Sequence, residues 1–114
     1  MQQYVKVYGQ SLEAQLQVLF LKDGDFIVAV CPSLQLSAYG ENIPDAKKSF
    51  ETTLQIFFQD LSKRNALRDE LSSLGWAISD HEFFRDAYLN DLIQDNLPLT
   101  ILQQDREHFQ TALA

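Results

Sequence analysis

Two carboxylates, Asp23 and Asp25, bracket Gly24 in the run Lys22-Asp23-Gly24-Asp25. A pair of carboxylates can do acid–base or metal chemistry when a fold brings them into a cleft. Here they lie between two apolar alternating segments, where Asp-Gly is a favoured two-residue hairpin turn, and turn chemistry accounts for them. His81 and His108 are far apart, and neither has a helix-spaced partner, an HExxH or a CxxC motif, so a metal site is not expected. Cys31 is the single cysteine and has no neighbouring His, Lys or Arg to lower its thiol pKa, so it reads as a small buried hydrophobe beside Pro32. No GxSxG, Walker A or GxGxxG pattern occurs. Trp76 and Tyr39 have the side chains that most often anchor protein interfaces, although strand-end core packing would also account for them.

The elements that carry these residues follow from periodicity. Leu16, Val18 and Phe20 alternate within a strand over 14–21, and Phe26 to Cys31 forms the return strand. Pro32 ends it, because proline cannot donate to a ladder. Leu34, Leu36 and Ala38 give a third strand up to Tyr39, and Tyr4 to Val7 adds a short strand at the start. Asn42 caps a helix with Pro44 in its first turn and Asp45 at its positive end. Along that helix Ala46, Phe50, Leu54, Phe57 and Leu61 recur at helical spacing, with Ile56 and Phe58 as further apolar residues. Asn65 is placed as the cap of a second short helix carrying Leu67, Leu71 and Leu74, stopped by Gly75. Residues 76–79 read as a strand returning to the sheet. A short helix is expected from about Phe83 to Gln94, followed by two short strands around Gln104 to Glu107; a second helix through Leu102, Phe109 and Leu113 fits nearly as well.

The expected fold is therefore α+β: a three-stranded antiparallel sheet with a packed helix and a returning strand, plus a short C-terminal helix and hairpin extension. Residues 1–79 form the core domain and 80–114 the extension, to which a dimerisation role is assigned. At 114 residues, 46% of them hydrophobic, the chain holds one core. The net charge of −7 disfavours nucleic acid as a ligand and favours a basic protein, although plain solubility also explains it. No apolar run approaches a membrane span and no signal-like segment opens the chain, so a cytoplasmic location is expected.

Several segments resemble one family in order and spacing. Asp25-Phe26-Ile27-Val28-Ala29-Val30-Cys31-Pro32-Ser33-Leu34 looks like the strand and Pro-x-Leu turn of HicB-type antitoxins, and Tyr39-Gly40-Glu41-Asn42 resembles that family's glycine and helix-cap segment. Asp45-Ala46 stands where the family shows Glu-Ala, and Leu74-Gly75-Trp76 resembles a Leu-Gly-Trp of one branch. The likeness covers about residues 14–79. It implies a degenerate ribonuclease H-like β-β-β-α-β fold without a working nuclease's acidic cluster. It also implies a non-enzymatic antitoxin role: binding and neutralising a small basic HicA-type messenger-RNA-cleaving toxin, with self-association into a homodimer or larger oligomer and no cofactor. The residues assigned to the partner surface are Asp23, Asp25, Tyr39, Glu41 and Trp76. Many such proteins add a helix-turn-helix or ribbon-helix-helix segment that binds operator DNA. Residues 80–114 read as neither and contain only Arg85 and Arg106 as strong bases, so DNA binding is not expected. The competing readings are an orphan homo-oligomeric interaction module and a metal-dependent nuclease, the latter requiring converging carboxylates.

Overall fold

The computed structural model describes residues 2–87 and 100–113. Among these residues seven strands and two helices follow one another as β1 (Gln2–Tyr8), β2 (Ser11–Asp23), β3 (Phe26–Cys31), β4 (Leu36–Gly40), α1 (Ile43–Lys63), α2 (Leu67–Ser73), β5 (Ala77–Ser79), β6 (Glu82–Asp86) and β7 (Thr100–Ala112). All the strand pairings are antiparallel. The class is the expected α+β, but the sheet has seven strands where three were expected.

The sheet is organised around β2. The path β4-β3-β2-β1-β6-β5 runs through it, and β7 pairs with β2 as well. A strand has only two edges. Because β7 pairs continuously from Ser11 to Lys22, β1 (opposite Ser11 to Gln15) and β3 (opposite Leu19 to Asp23) must share the other edge end to end. Both hairpins have two-residue loops, Gly9-Gln10 and Gly24-Asp25, with positive φ only at the glycine (+59° in each). That is the pattern of a type II′ turn, in which glycine takes the first loop position. The expected Asp23-Gly24 turn is therefore displaced by one residue, and Asp23 is the last rung of β2.

Gln3 fills the junction between β1 and β3. Its Oε1 accepts from the Gln17 backbone N–H at 2.9 Å and from the Ser33 hydroxyl at 2.8 Å. Gln3 is only 1% exposed, so both bonds replace solvation lost on burial.

Helix α1 lies on the face formed by Val5, Leu12, Ala14, Leu16, Val18, Phe20, Ala29 and Cys31. Asn42 caps it as expected, its Oδ1 accepting from the Asp45 N–H at 2.8 Å. Its buried stripe is Ala46, Phe50, Leu54, Phe58 and Leu61; Phe58 replaces the expected Phe57, which is half-buried, because the stripe advances in steps of four. Each large member contributes roughly 1.5–3 kcal/mol by leaving water. Asn65 does not cap α2. It has φ +50° and closes α1: its N–H reaches the Ser62 carbonyl, and the next N–H, of Ala66, reaches Leu61. This is a Schellman motif. Gly75 closes α2 in the same way, with φ +90° and the Trp76 N–H bonded to the Leu71 carbonyl.

Two C-terminal expectations are corrected. Residues 82–86 form strand β6, not the start of a helix, because Phe83 pairs with Val5 and joins the core; residues 88–94 of that expected helix lie outside the described residues. The two short strands around Gln104 to Glu107 are one strand, because β2 supplies a template long enough for the whole of β7. The C-terminal strands are thus part of the sheet and not an appendage to it. No helix among the described residues is long and apolar enough to cross a membrane.

Candidate partner-binding corner

At the end of the sheet where β2 gives way to β3, three acidic or aromatic side chains share the face away from α1 with Val28. Cross-strand partners point to the same side of a sheet, and the pairs Asp23–Phe26 and Val28–Tyr39 put Asp23, Phe26, Val28 and Tyr39 together. Phe26 is 52% and Tyr39 55% exposed, unusual for aromatics of this size on a sheet. The Tyr39 hydroxyl reaches across β3 to donate to Asp23 Oδ2 at 3.2 Å. That bond, with the carboxylate's charge, holds the phenol pKa above its ordinary value. Asp25 is exposed in the turn, and Glu41, also exposed, stands one residue past the Ile27–Gly40 pair. Lys22, the basic residue in this stretch, alternates to the other face of β2.

Four of the five assigned residues, Asp23, Asp25, Tyr39 and Glu41, therefore collect at one corner. Trp76 does not. It is 4% exposed, belongs to the main core, and its indole N–H donates to the Ser33 carbonyl at 3.0 Å. A partner at this corner would not touch it, so it is corrected from interface anchor to core residue. Phe26 was missed: its alternation with Val28 and Val30 placed it among strand residues, but it is the first rung after the turn and the pairing with β4 stops one residue short of it, at Ile27. Only that position, next to a hairpin loop, could have signalled it.

A second polar group crosses the same face near the other end of β2. Glu13 Oε1 accepts from the Tyr4 hydroxyl at 2.8 Å and lies 3.1 Å from His108 Nε2. The His108 bond, then the Tyr4 bond, hold the Glu13 carboxyl below its usual range, while the bond to Glu13 raises Tyr4. Lys6 sits 4.7 Å from the Tyr4 ring centroid. On the helix side Glu107 pairs with Lys47 at 3.5 Å, and desolvation outweighs that partner and raises its pKa. Burial pushes the Cys31 thiol up to about 11, which leaves it unreactive at neutral pH. Among the described residues no three His, Cys, Asp or Glu side chains converge in a metal-binding group.

The corner brings together two half-exposed aromatic rings, one of them tethered by a hydrogen bond, and three carboxylates. No family model, curated protein or solved structure matches the chain.

Proposed function

We propose that this chain is a non-catalytic capture protein of the HicB antitoxin type, which binds and neutralises a small basic messenger-RNA-cleaving toxin through the Asp23–Asp25–Phe26–Tyr39–Glu41 corner. The observation that carries this reading is the pairing of two half-exposed aromatics with three carboxylates on a chain of net charge −7. Aromatic anchors supply most interface energy, and opposite charge speeds encounter with a basic partner. Apart from the short helix α2, the succession β2-β3-β4-α1-α2-β5 follows the β-β-β-α-β order that the resemblance to HicB-type proteins implies, although β5 joins the sheet beside β6 and not beside β2.

The test is coexpression with a small basic HicA-type toxin, followed by purification of the complex and measurement of its affinity at several salt concentrations. A stable complex that protects messenger RNA is expected. Asp25→Lys with Glu41→Lys should weaken it at least tenfold and flatten its salt dependence, and Tyr39→Ala should raise its dissociation rate. No complex, or a complex indifferent to all three changes, overturns the proposal. A homo-oligomeric module without a toxin is the second reading, favoured by the edge of β7 that has no partner strand among the described residues.

A further inference from the structure

Strand β7 has thirteen residues and, among the described residues, pairs only with β2. The other strands with one partner among the described residues, β4 and β5, are five and three residues long. Which β7 groups face outward follows from the hairpins. A two-residue loop is flanked by a hydrogen-bonded pair, so Ser11 and Asp23, and with them the odd-numbered residues of β2, aim their N–H and C=O at β1 and β3. The even-numbered residues of β2 aim at β7, where Leu12, Ala14, Leu16, Val18 and Phe20 meet Thr111, Phe109, Glu107, Asp105 and Gln103. The backbone groups of Gln104, Arg106, His108 and Gln110 therefore point away from the sheet. Among the described residues they have no backbone partner. The register shift of β7 falls between Phe20 and Leu21, so the stretch from Gln103 to Ala112 is regular. It contains no proline or lysine; its charged residues are confined to Asp105, Arg106 and Glu107.

We infer that this edge is a self-recognition surface: β7 pairs antiparallel with β7 of a second copy about a two-fold axis at Phe109, joining two sheets into one. The chain's own charge pattern narrows the register. Only pairings that match even-numbered residues with even-numbered ones satisfy the outward groups. An axis at Asp105 or at Glu107 sets that carboxylate against its own copy. An axis at Arg106 opposes the two arginines and twice sets Asp105 against Glu107. Like charges directly opposite are destabilising. An axis at His108 opposes no like charges but sets each Glu107 carboxylate against a Phe109 ring, which disfavours it. An axis at Phe109 instead sets Glu107 opposite Thr111, His108 opposite Gln110 and Arg106 opposite Ala112. It also brings the two Phe109 rings together at a non-hydrogen-bonded position, where side chains approach most closely. Phe109 already stacks on Phe58 (centroids 6.2 Å apart, planes at 28°), so the interface would be continuous with both cores.

The remaining charges do not oppose this arrangement strongly. The axis lies opposite Ala14, nine residues along β2 from Asp23, or roughly 30 Å at strand rise. Two acidic corners therefore face outward at opposite ends, well beyond the screening length of about 8 Å at physiological salt. The dimer would present two capture sites.

The experiment uses the full chain alone, so its outcome is separate from that of toxin binding. Light scattering should give twice the 13.1 kDa chain mass. Gln110→Pro removes an outward N–H while sparing the β2 ladder, and should give a monomer with unchanged circular dichroism. Phe109→Cys should cross-link two chains under mild oxidation and Gln103→Cys should not; buried Cys31 does not compete. A monomer at all concentrations overturns the inference. So does a dimer that survives Gln110→Pro and that Phe109→Cys fails to cross-link, since it would use another surface.

Discussion

Trp76 and Ser33 tie two loops together: the indole N–H, just past the left-handed Gly75 that ends α2, donates at 3.0 Å to a carbonyl in the turn between β3 and β4. The ring fills core space and its nitrogen satisfies a buried acceptor, so its two roles separate by mutation. Trp76→Phe keeps most of the ring and leaves the Ser33 carbonyl unpaired, which should cost about 1–3 kcal/mol. Trp76→Ala also opens a cavity and should cost about 3–5 kcal/mol. Urea denaturation of both variants checks the order. A Trp76→Phe protein as stable as the wild type would mean that the hydrogen bond contributes nothing, and equal losses would mean that the packing of the ring adds nothing beyond it.

Gln3 makes a related prediction. Its Oε1 bridges Gln17 of β2 to Ser33, holding together the ends of two strands that share one edge. Gln3→Leu should strand the Gln17 N–H, leave the Ser33 hydroxyl only the weak Cys31 Sγ partner at 3.4 Å, and destabilise by roughly 2–4 kcal/mol. Ser33→Ala removes only one partner and should cost less. The double variant should show strong non-additivity, because the second change removes a group that the first has already stranded.

How far the fold was legible depended on whether a segment's partner was local. The β2–β3 hairpin, the Asn42 cap and the α1 stripe were readable because turn, cap and periodicity are written in neighbouring residues. Phe50→Ala follows from that stripe: with Phe50 1% exposed, the change should lower the melting midpoint by roughly 10 °C or more, which calorimetry would measure. Strand β6 was not readable, and β7 was readable only as two short strands. Phe83 pairs with Val5 and Phe109 with Ala14, partners at the far end of the chain, and neither segment alternates cleanly enough to reveal them. Asn65 was misplaced because a helix start and a left-handed helix stop both favour asparagine, and only the bond from Ala66 to Leu61 distinguishes them. At the corner, the carboxylates and Tyr39 were legible as a turn and a strand end, whereas Phe26 depended on β3 having no further cover there, and Trp76 on where the turn after β3 passes.

Acid should probe the join between β7 and β2. The Glu13 carboxyl, hydrogen-bonded by His108 and Tyr4, titrates below its ordinary value. A depressed folded-state pKa gives stability that is present above the unfolded value, about 4.3, and lost as pH falls through the folded one. Glu107 behaves oppositely: desolvation raises its pKa, so its protonated form favours the folded state, and that contribution fades as pH rises through the raised value. Glu13→Gln should therefore reduce the wild-type loss of stability on the acid side of about pH 4.3, while Glu107→Gln should remove a loss that develops above it. Denaturation midpoints between about pH 3 and 7 would separate the two, and parallel curves for all three proteins would refute both assignments.

The segment that aims Tyr39 depends on close approach between Gly40 and the first turn of α1. A Cβ at Gly40 would lie 2.6 Å from the Asp45 carbonyl carbon and 2.7 Å from Ala46 Cα, both backbone atoms that no rotamer change can move aside. The constraint is space and not dihedral angle, since Gly40 does not have positive φ. Gly40→Ala should therefore push α1 away from β4, disturb the Asn42 cap two residues on, and cost more than the roughly 1–3 kcal/mol typical of overpacking. If the domain survives, the shifted β4 end should weaken the Tyr39–Asp23 bond. Tyrosine titration, followed by ultraviolet absorbance, would then show one phenol returning toward its ordinary pKa. Tyr39→Phe serves as the control, because it deletes that titration without adding a Cβ. A Gly40→Ala protein with wild-type stability and an unchanged phenol titration would show that the sheet end is more pliable than its packing implies.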